Sequence, residues 1–165
     1  MLYNYVNFIA ACDNKGGIGK NGILPWNIPN ETKYFQSKTK GHVVVMGRTT
    51  YFSIPEKYRP LSNRLNLVLT NDEKLLKNEH GNSNLKFFNN SLYSNNNSKL
   101  KSITDYQVKI ELLTLSLLVR NNSKYYSKEI FIIGGEKIYN MYFNLLNKFT
   151  IHDLQLNNIY LTYIN

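Results

Sequence analysis

The run Ile130-Phe131-Ile132-Ile133 is apolar at every position and stops at Gly134-Gly135. A stretch this short and unbroken reads as a β-strand buried on both faces, not as one that shows a polar face to water. Such a strand needs a covering layer above and below. The same signature recurs at Phe8 to Cys12, the second half of a strand read over Tyr3 to Cys12, and at His42-Val43-Val44-Val45-Met46, closed by Gly47. Arg64 to Thr70 is a strand with partial alternation, Leu85 to Phe88 a further short one, and Asn158 to Ile164 the last. Helical patterns lie between them: about 30–39, Arg48 to Ser53 stopped near Pro55, Asp105 to Val119, and Glu136 to Leu146. Pro60 and Asn63 mark a turn. Strands alternating with helices predict an α/β fold of three layers, with a central, mostly parallel, twisted sheet and helices on both faces.

The 165 residues suffice for a single domain, 1–165, with a real core. The tract from 71 to 101 is rich in Asn and Lys and poor in apolar periodicity, so it reads as a loop-rich insertion. A net charge of +9 favours anionic partners. That charge is dispersed, without a Lys/Arg block or an aromatic-rich RNA-binding signature, so no nucleic-acid partner is expected. Cys12 is the only cysteine, which excludes an internal disulfide and suits a cytoplasmic, reducing setting. His42, His80 and His152 lie far apart in unlike contexts, so no metal site is expected. The chain opens without a secretory pattern, and no stretch approaches the ~20 apolar residues of a membrane helix.

Several short motifs can bear chemistry. Gly17-Ile18-Gly19-Lys20-Asn21-Gly22 follows a strand, as a dinucleotide fingerprint does, but no helix starts cleanly into Ile23-Leu24-Pro25-Trp26. It reads either as a hinged flap that excludes water from a substrate or as an ordinary surface loop. Gly134-Gly135 opens a helix and suits close approach of a phosphate; the plain alternative is a tight turn. Gly47-Arg48-Thr49-Thr50 repeats that logic with two hydroxyls and a guanidinium, against a simple cap and a solvated Arg. Arg64, after a turn, is either a surface charge or a bidentate carboxylate clamp. Glu31 stands in the first turn of a helix, near Trp26, Tyr34 and Phe35. It either complements the helix dipole or, shielded by those rings, has a raised pKa and becomes a proton source or an anchor for an amide-like ring.

In order and spacing these segments resemble dihydrofolate reductase. The matching residues are Phe8-Ile9-Ala10-Ala11, Gly17 to Gly22, and Leu24-Pro25-Trp26 with Glu31 and Phe35. They continue through Val45-Met46-Gly47-Arg48-Thr49-Thr50, Ser53-Ile54-Pro55, and Arg59-Pro60-Leu61 with Arg64. Ile132-Ile133-Gly134-Gly135, Ile138-Tyr139 and Ile159 to Ile164 complete the set. The resemblance implies reduction of 7,8-dihydrofolate to tetrahydrofolate with hydride from NADPH, a step of one-carbon metabolism and a target of antifolates. It implies that Glu31 holds the pterin and promotes its protonation, with Trp26 and Leu24 in the flap that dries the site. Substrate contacts would come from Ile9, Ala10, Phe35, Ile54, Leu61, Ile133, Tyr139 and Thr162, with Arg64 on the glutamate carboxylate. Cofactor contacts would come from Ala11, Ile18, Gly22, Arg48, Thr49, Thr50, Ser53, Thr70, Asn71, Gly134, Gly135, Glu136, Lys137, Ile138 and Tyr139. A cis peptide between the two glycines is also implied.

Two departures from the family pattern stand out. Thr70 is followed by Asn71 where the family often has a basic residue, so Arg48 has more to do in selecting NADPH, with Lys74 as a candidate helper. The chain stops at Asn165, where the family continues into a final antiparallel hairpin, so that hairpin is expected to be missing. The alternative reading is therefore a truncated, catalytically poor pterin- and dinucleotide-binding domain, or a fragment of a longer bifunctional protein. Fusion to thymidylate synthase occurs in the family, but nothing in this chain shows that partner.

Overall fold

The computed structural model describes residues 4–13, 29–77, 81–89, 105–148 and 154–164, with side chains at 4–10, 33–77, 81–89, 112–147 and 154–161. The strands are β1 (Asn4–Asp13), β2 (Val43–Gly47), β3 (Leu65–Leu69), β4 (Leu85–Phe88), β5 (Ile130–Gly134) and β6 (Leu154–Ile164). The helices are α1 (Pro29–Thr39), α2 (Arg48–Ser53), α3 (Glu73–Lys77), α4 (Asp105–Arg120) and α5 (Glu136–Lys148). One sheet runs in the order β4-β3-β2-β5-β1-β6, and every pairing in it is parallel. No helix among the described residues is long and apolar enough to cross a membrane.

Strand parity explains the layers. Successive side chains leave a strand on opposite faces, and here both faces are apolar. Val43 and Val45 join one buried cluster while Val44 and Met46 join another. Ile130 and Ile132 divide in the same way from Phe131 and Ile133. The first cluster is closed by α4, through Leu112, Leu115 and Val119, and by α5, through Ile138, Met141, Tyr142 and Leu145. Phe35 of α1, Tyr51 of α2 and Ile54 close the second, with Leu75 and Leu76 of α3 at its margin. The three layers expected from the unbroken apolar runs are thus present.

Within the tract read as loop-rich, β4 stands where Leu85 to Phe88 was read as a strand, and α3 is an element not expected there. Asp72 explains the helix: its carboxylate accepts the Lys74 N–H at 2.9 Å, while its own N–H donates to the Thr70 hydroxyl at 3.0 Å. These local bonds satisfy amides that a helix start leaves open. Phe87 and Phe88 explain the strand, since they are buried in opposite clusters. Residues 78–80 and 90–101 of the expected insertion lie outside those described.

β6 also begins earlier than expected, at Leu154. Its pairing with β1 runs Val6 to Leu156 and then Phe8 to Ile159, so β6 holds one extra residue. This bulge breaks the period-2 pattern by which a strand is read. Leu154 and Leu156 face the α4/α5 cluster, whereas Tyr160 packs on the α1 side.

At the start of β2, the Nδ1 atom of His42 accepts the Glu129 backbone N–H at 3.1 Å. Burial lowers the pKa of His42; the Glu129 carboxylate opposes that shift and the Lys128 charge adds to it. Accepting this bond requires a neutral imidazole. The unfolded chain therefore binds the extra proton more readily than the fold does. The stabilisation is fully present above the ordinary value of 6.5 and is lost as the pH falls through the lower folded value. Urea unfolding should show stability falling as the pH drops below the ordinary value of 6.5, and His42→Asn should shrink that fall.

Candidate active site

An apolar surface lies between α1 and the second face of the sheet. Ile9 of β1, Phe35 of α1, Ile54 after α2 and Ile133 of β5 share one apolar cluster, with Leu61 packed at its edge. These residues come from widely separated parts of the chain, and the parallel sheet brings them together.

Arg64 closes one end of this surface and is only 4% exposed. Its Nε donates to the Ser62 carbonyl at 2.8 Å, and its Nη1 donates to the Thr39 hydroxyl at 3.0 Å. Thr39 in turn donates to the Phe35 carbonyl at 2.9 Å, and the guanidinium lies 5.9 Å from the Phe35 ring centre. Burial lowers the Arg64 pKa and the Tyr125 hydroxyl opposes that shift, but a guanidinium keeps its charge in proteins. Among the described residues no carboxylate reaches Arg64: the ion pairs there are Arg48 with Asp72 and Lys77 with Glu73. A buried cation without a carboxylate partner is costly, and an incoming anion relieves that cost.

Glu31 stands at the other end of the same helix. It precedes Thr39 by eight residues in α1, which is about 12 Å along the axis. Its side chain, like those of Ala11 and Thr162, lies outside the described residues. Ile18, Gly22, Leu24 and Trp26 lie wholly outside them. In the backbone, Thr162 pairs in register with Ala11.

Two side chains missed in the sequence reading hold this surface in shape. Asn66, fully buried in β3, accepts the Leu61 N–H at 2.9 Å and donates to the Leu61 and Arg64 carbonyls, each at 3.0 Å. It clamps the turn that carries both residues. Thr39 is the second, as the support for Arg64. An amide inside the apolar run Leu65 to Leu69 was the available signal for Asn66; Thr39 offered none.

The second part of the site lies at the C-terminal ends of β2 and β5, where Met46 pairs with Gly134. The Gly134–Gly135 peptide is cis, as the resemblance implied. Gly134 has φ +128, and a Cβ there would come within 3.4 Å of the Tyr139 ring; one on Gly135 would meet the Thr50 hydroxyl at 3.4 Å. Helix α5 begins at the next residue, with Glu136 in its first turn. Glu136 and Lys137 are exposed and Ile138 is buried. Beside this bend, Arg48 and Thr49 at the start of α2 are exposed and Thr50 is buried, and Ser53 donates to the Thr50 carbonyl at 2.6 Å. Thr70 is buried beneath exposed Asn71. Asp72 lies 3.8 Å from Arg48. The bend, the hydroxyls and Arg48 thus form one polar ledge.

Tyr139 joins the two parts. Its hydroxyl donates to the Ile9 carbonyl at 2.7 Å, while its ring sits against Gly134. Burial pushes its pKa up, so the phenol stays a proton donor. Tyr139, Ile138 and Ala10 pack in the α4/α5 cluster. The structure therefore separates the Ala10 side chain from Ile9, with which it was grouped, because neighbours on a strand face opposite ways.

A family model described as dihydrofolate reductase matches residues 5–162. The chain belongs to the dihydrofolate reductase family. Among curated relatives, it is 51% identical over 77 residues to a dihydrofolate reductase of Sus scrofa, covering 42% of this chain and 41% of that protein. It is 51% identical over 69 residues to bifunctional dihydrofolate reductase-thymidylate synthase 2 of Arabidopsis thaliana, covering 38% of this chain and 12% of that one. A viral dihydrofolate reductase of Saimiriine herpesvirus 2 is 49% identical over 83 residues, 46% of this chain and 38% of the viral one. The matched region thus spans less than half the length of each of these relatives.

The glycine pair yields a test within this family site. Gly134→Ala forces an L side chain into φ +128 and should lower unfolding stability by about 1–3 kcal/mol. Gly135→Ala meets only the Thr50 hydroxyl and should cost less. Chemical denaturation of the two variants side by side checks the order.

Proposed function

We propose that the protein reduces 7,8-dihydrofolate to tetrahydrofolate with NADPH. The reading rests most on Arg64, a buried guanidinium lacking a carboxylate partner among the described residues and bonded to Thr39, which lies about 12 Å along α1 from Glu31. An elongated substrate with an amide-like ring at one end and a carboxylate at the other fits that spacing. Family membership supports the same substrate.

In this reading Arg64 takes the glutamate carboxylate, and Phe35, Ile54 and Leu61 flank the benzoyl and pterin rings. Glu31 accepts hydrogen bonds from the pterin amino group and ring nitrogen and promotes protonation of the imine nitrogen, through water, which makes the adjacent carbon a better hydride acceptor. Thr162 reaches the amino group from β6. Leu24 and Trp26 belong to the flap that excludes water. Ile9, Ala10 and Ile133 contribute backbone or side chain to the pterin wall.

Bound NADPH supplies the hydride. Its fit is supported by the ledge at the Gly134–Gly135 bend, where two glycines leave the backbone without side chains beside Thr50 and the start of α5. Gly134, Gly135, Glu136, Lys137 and Ile138 would hold the phosphates through the α5 N-terminus. Ala11, Ile18, Gly22 and Tyr139 would bracket the nicotinamide. Arg48, Thr49, Thr50, Ser53, Thr70 and Asn71 would take the adenosine end. Asp72 beside Arg48 offsets part of the charge that selects the extra phosphate, so the preference over NADH is moderate in this reading.

Absorbance loss of NADPH with dihydrofolate tests the activity. Arg64→Leu should raise KM for dihydrofolate roughly 10- to 150-fold, the range of a charged hydrogen bond, and leave a dihydropterin without the glutamate tail unaffected. Glu31→Gln should depress kcat by about 100-fold or more. Tight binding of NADPH and folate with no turnover would instead favour the catalytically poor binding domain.

A further inference from the structure

The bulge in β6 is built, and one buried side chain holds it. A bulge leaves a backbone group outside the strand ladder, and a side chain that pairs with that group fixes where the extra residue sits. Here the Asn158 N–H donates to Asn7 Oδ1 at 3.2 Å. Asn7 lies in β1 with no exposed surface. Its amide nitrogen donates to Glu129 Oε1 at 3.3 Å and to the Ile130 carbonyl at 3.5 Å. Asn157, on the other side of the bulge, also donates to Glu129 Oε1, at 3.4 Å. One carboxamide thus ties the start of β5 to the extra residue of β6.

The extra residue reverses strand parity. Before it, Leu154 and Leu156 face the α4/α5 cluster. After it, Tyr160 packs on the α1 side, its ring stacked 6.2 Å from Phe131, while Ile159 and Leu161 are each 51% exposed. Without the bulge, residues 154, 156, 160 and 162 would all share one parity. With it, position 162 keeps the parity of Tyr160 and pairs with Ala11.

We propose that Asn7 is a positioning residue for pterin binding: by holding the extra residue at Asn158, it fixes the face of β6 on which Thr162 meets the substrate. This rests on the assignment of Thr162 to the pterin amino group. The probe is 6,7-dimethyl-7,8-dihydropterin, which has no glutamate tail and so does not report on Arg64. Asn7→Leu should weaken its binding about tenfold and leave NADPH binding within about twofold, a split that general destabilisation does not produce. The exchange Asn7→Asp with Glu129→Gln keeps an acceptor for Asn158 and a donor–acceptor pair with residue 129, and should restore binding. In a Thr162→Val background, Asn7→Leu should add little, because both act on one contact. If Asn7→Leu does not fold, Glu129→Leu, at a partly exposed site, removes the acceptor that orients the Asn7 amide. It should give a loss of about threefold that also vanishes with Thr162→Val. Unchanged affinity in these variants, failed restoration, or losses that add in full to Thr162→Val overturn the role of Asn7 alone. No loss in Thr162→Val itself overturns the Thr162 assignment, and this proposal with it.

Discussion

β5 is apolar on both sides and has β2 and β1 as its neighbours. Once Ile130 and Ile132 need one cover and Phe131 and Ile133 another, the helices must divide between two faces. That division sets what each end of the chain can do. The α4/α5 face is closed by large buried side chains such as Tyr142 and Leu145. The α1 face instead meets a buried cation and the polar ledge at the C-terminal ends of β2 and β5. Ligands of open α/β sheets bind at such strand ends, and here the glycine pair ends the central strand itself.

The two parts of the site are mechanically joined. Tyr139 stands on α5, directly after the bend, yet its hydroxyl reaches the Ile9 carbonyl on β1. Arg64 is joined through Thr39 to the same helix that carries Phe35 and Glu31. The two surfaces proposed for substrate and cofactor are thus set by side-chain bonds between elements, in addition to the sheet, which favours a preorganised geometry.

Much of this was legible in the sequence, for reasons that differ by residue. Unbroken apolar runs gave the buried strands, because a buried parallel strand has no polar face to disguise it. Glycine and proline punctuation gave α2 and the bend before α5. The Asn/Lys-rich tract hid α3, since a five-residue helix held by Asp72 leaves too short a pattern, whereas β4 was legible from Leu85 to Phe88. The early part of β6 was hidden because its bulge shifts the alternation halfway. Arg64 was visible as a candidate clamp, with a surface charge as the alternative; its burial depends on Thr39, distant in sequence, and no local pattern reports that. Asn66 and Asn7 were passed over as polar interruptions of strands, although an amide inside an apolar strand has to be bonded to something.

Among the described residues, β4 occupies the outer position of the sheet and has β3 as its one strand neighbour, whereas β5 is held between β2 and β1. A change of length at β4 therefore disturbs one ladder. Inserting even one residue between Gly134 and α5 would displace the ledge from Tyr139, so the bend at the end of β5 is held to a fixed count that the outer strand does not share.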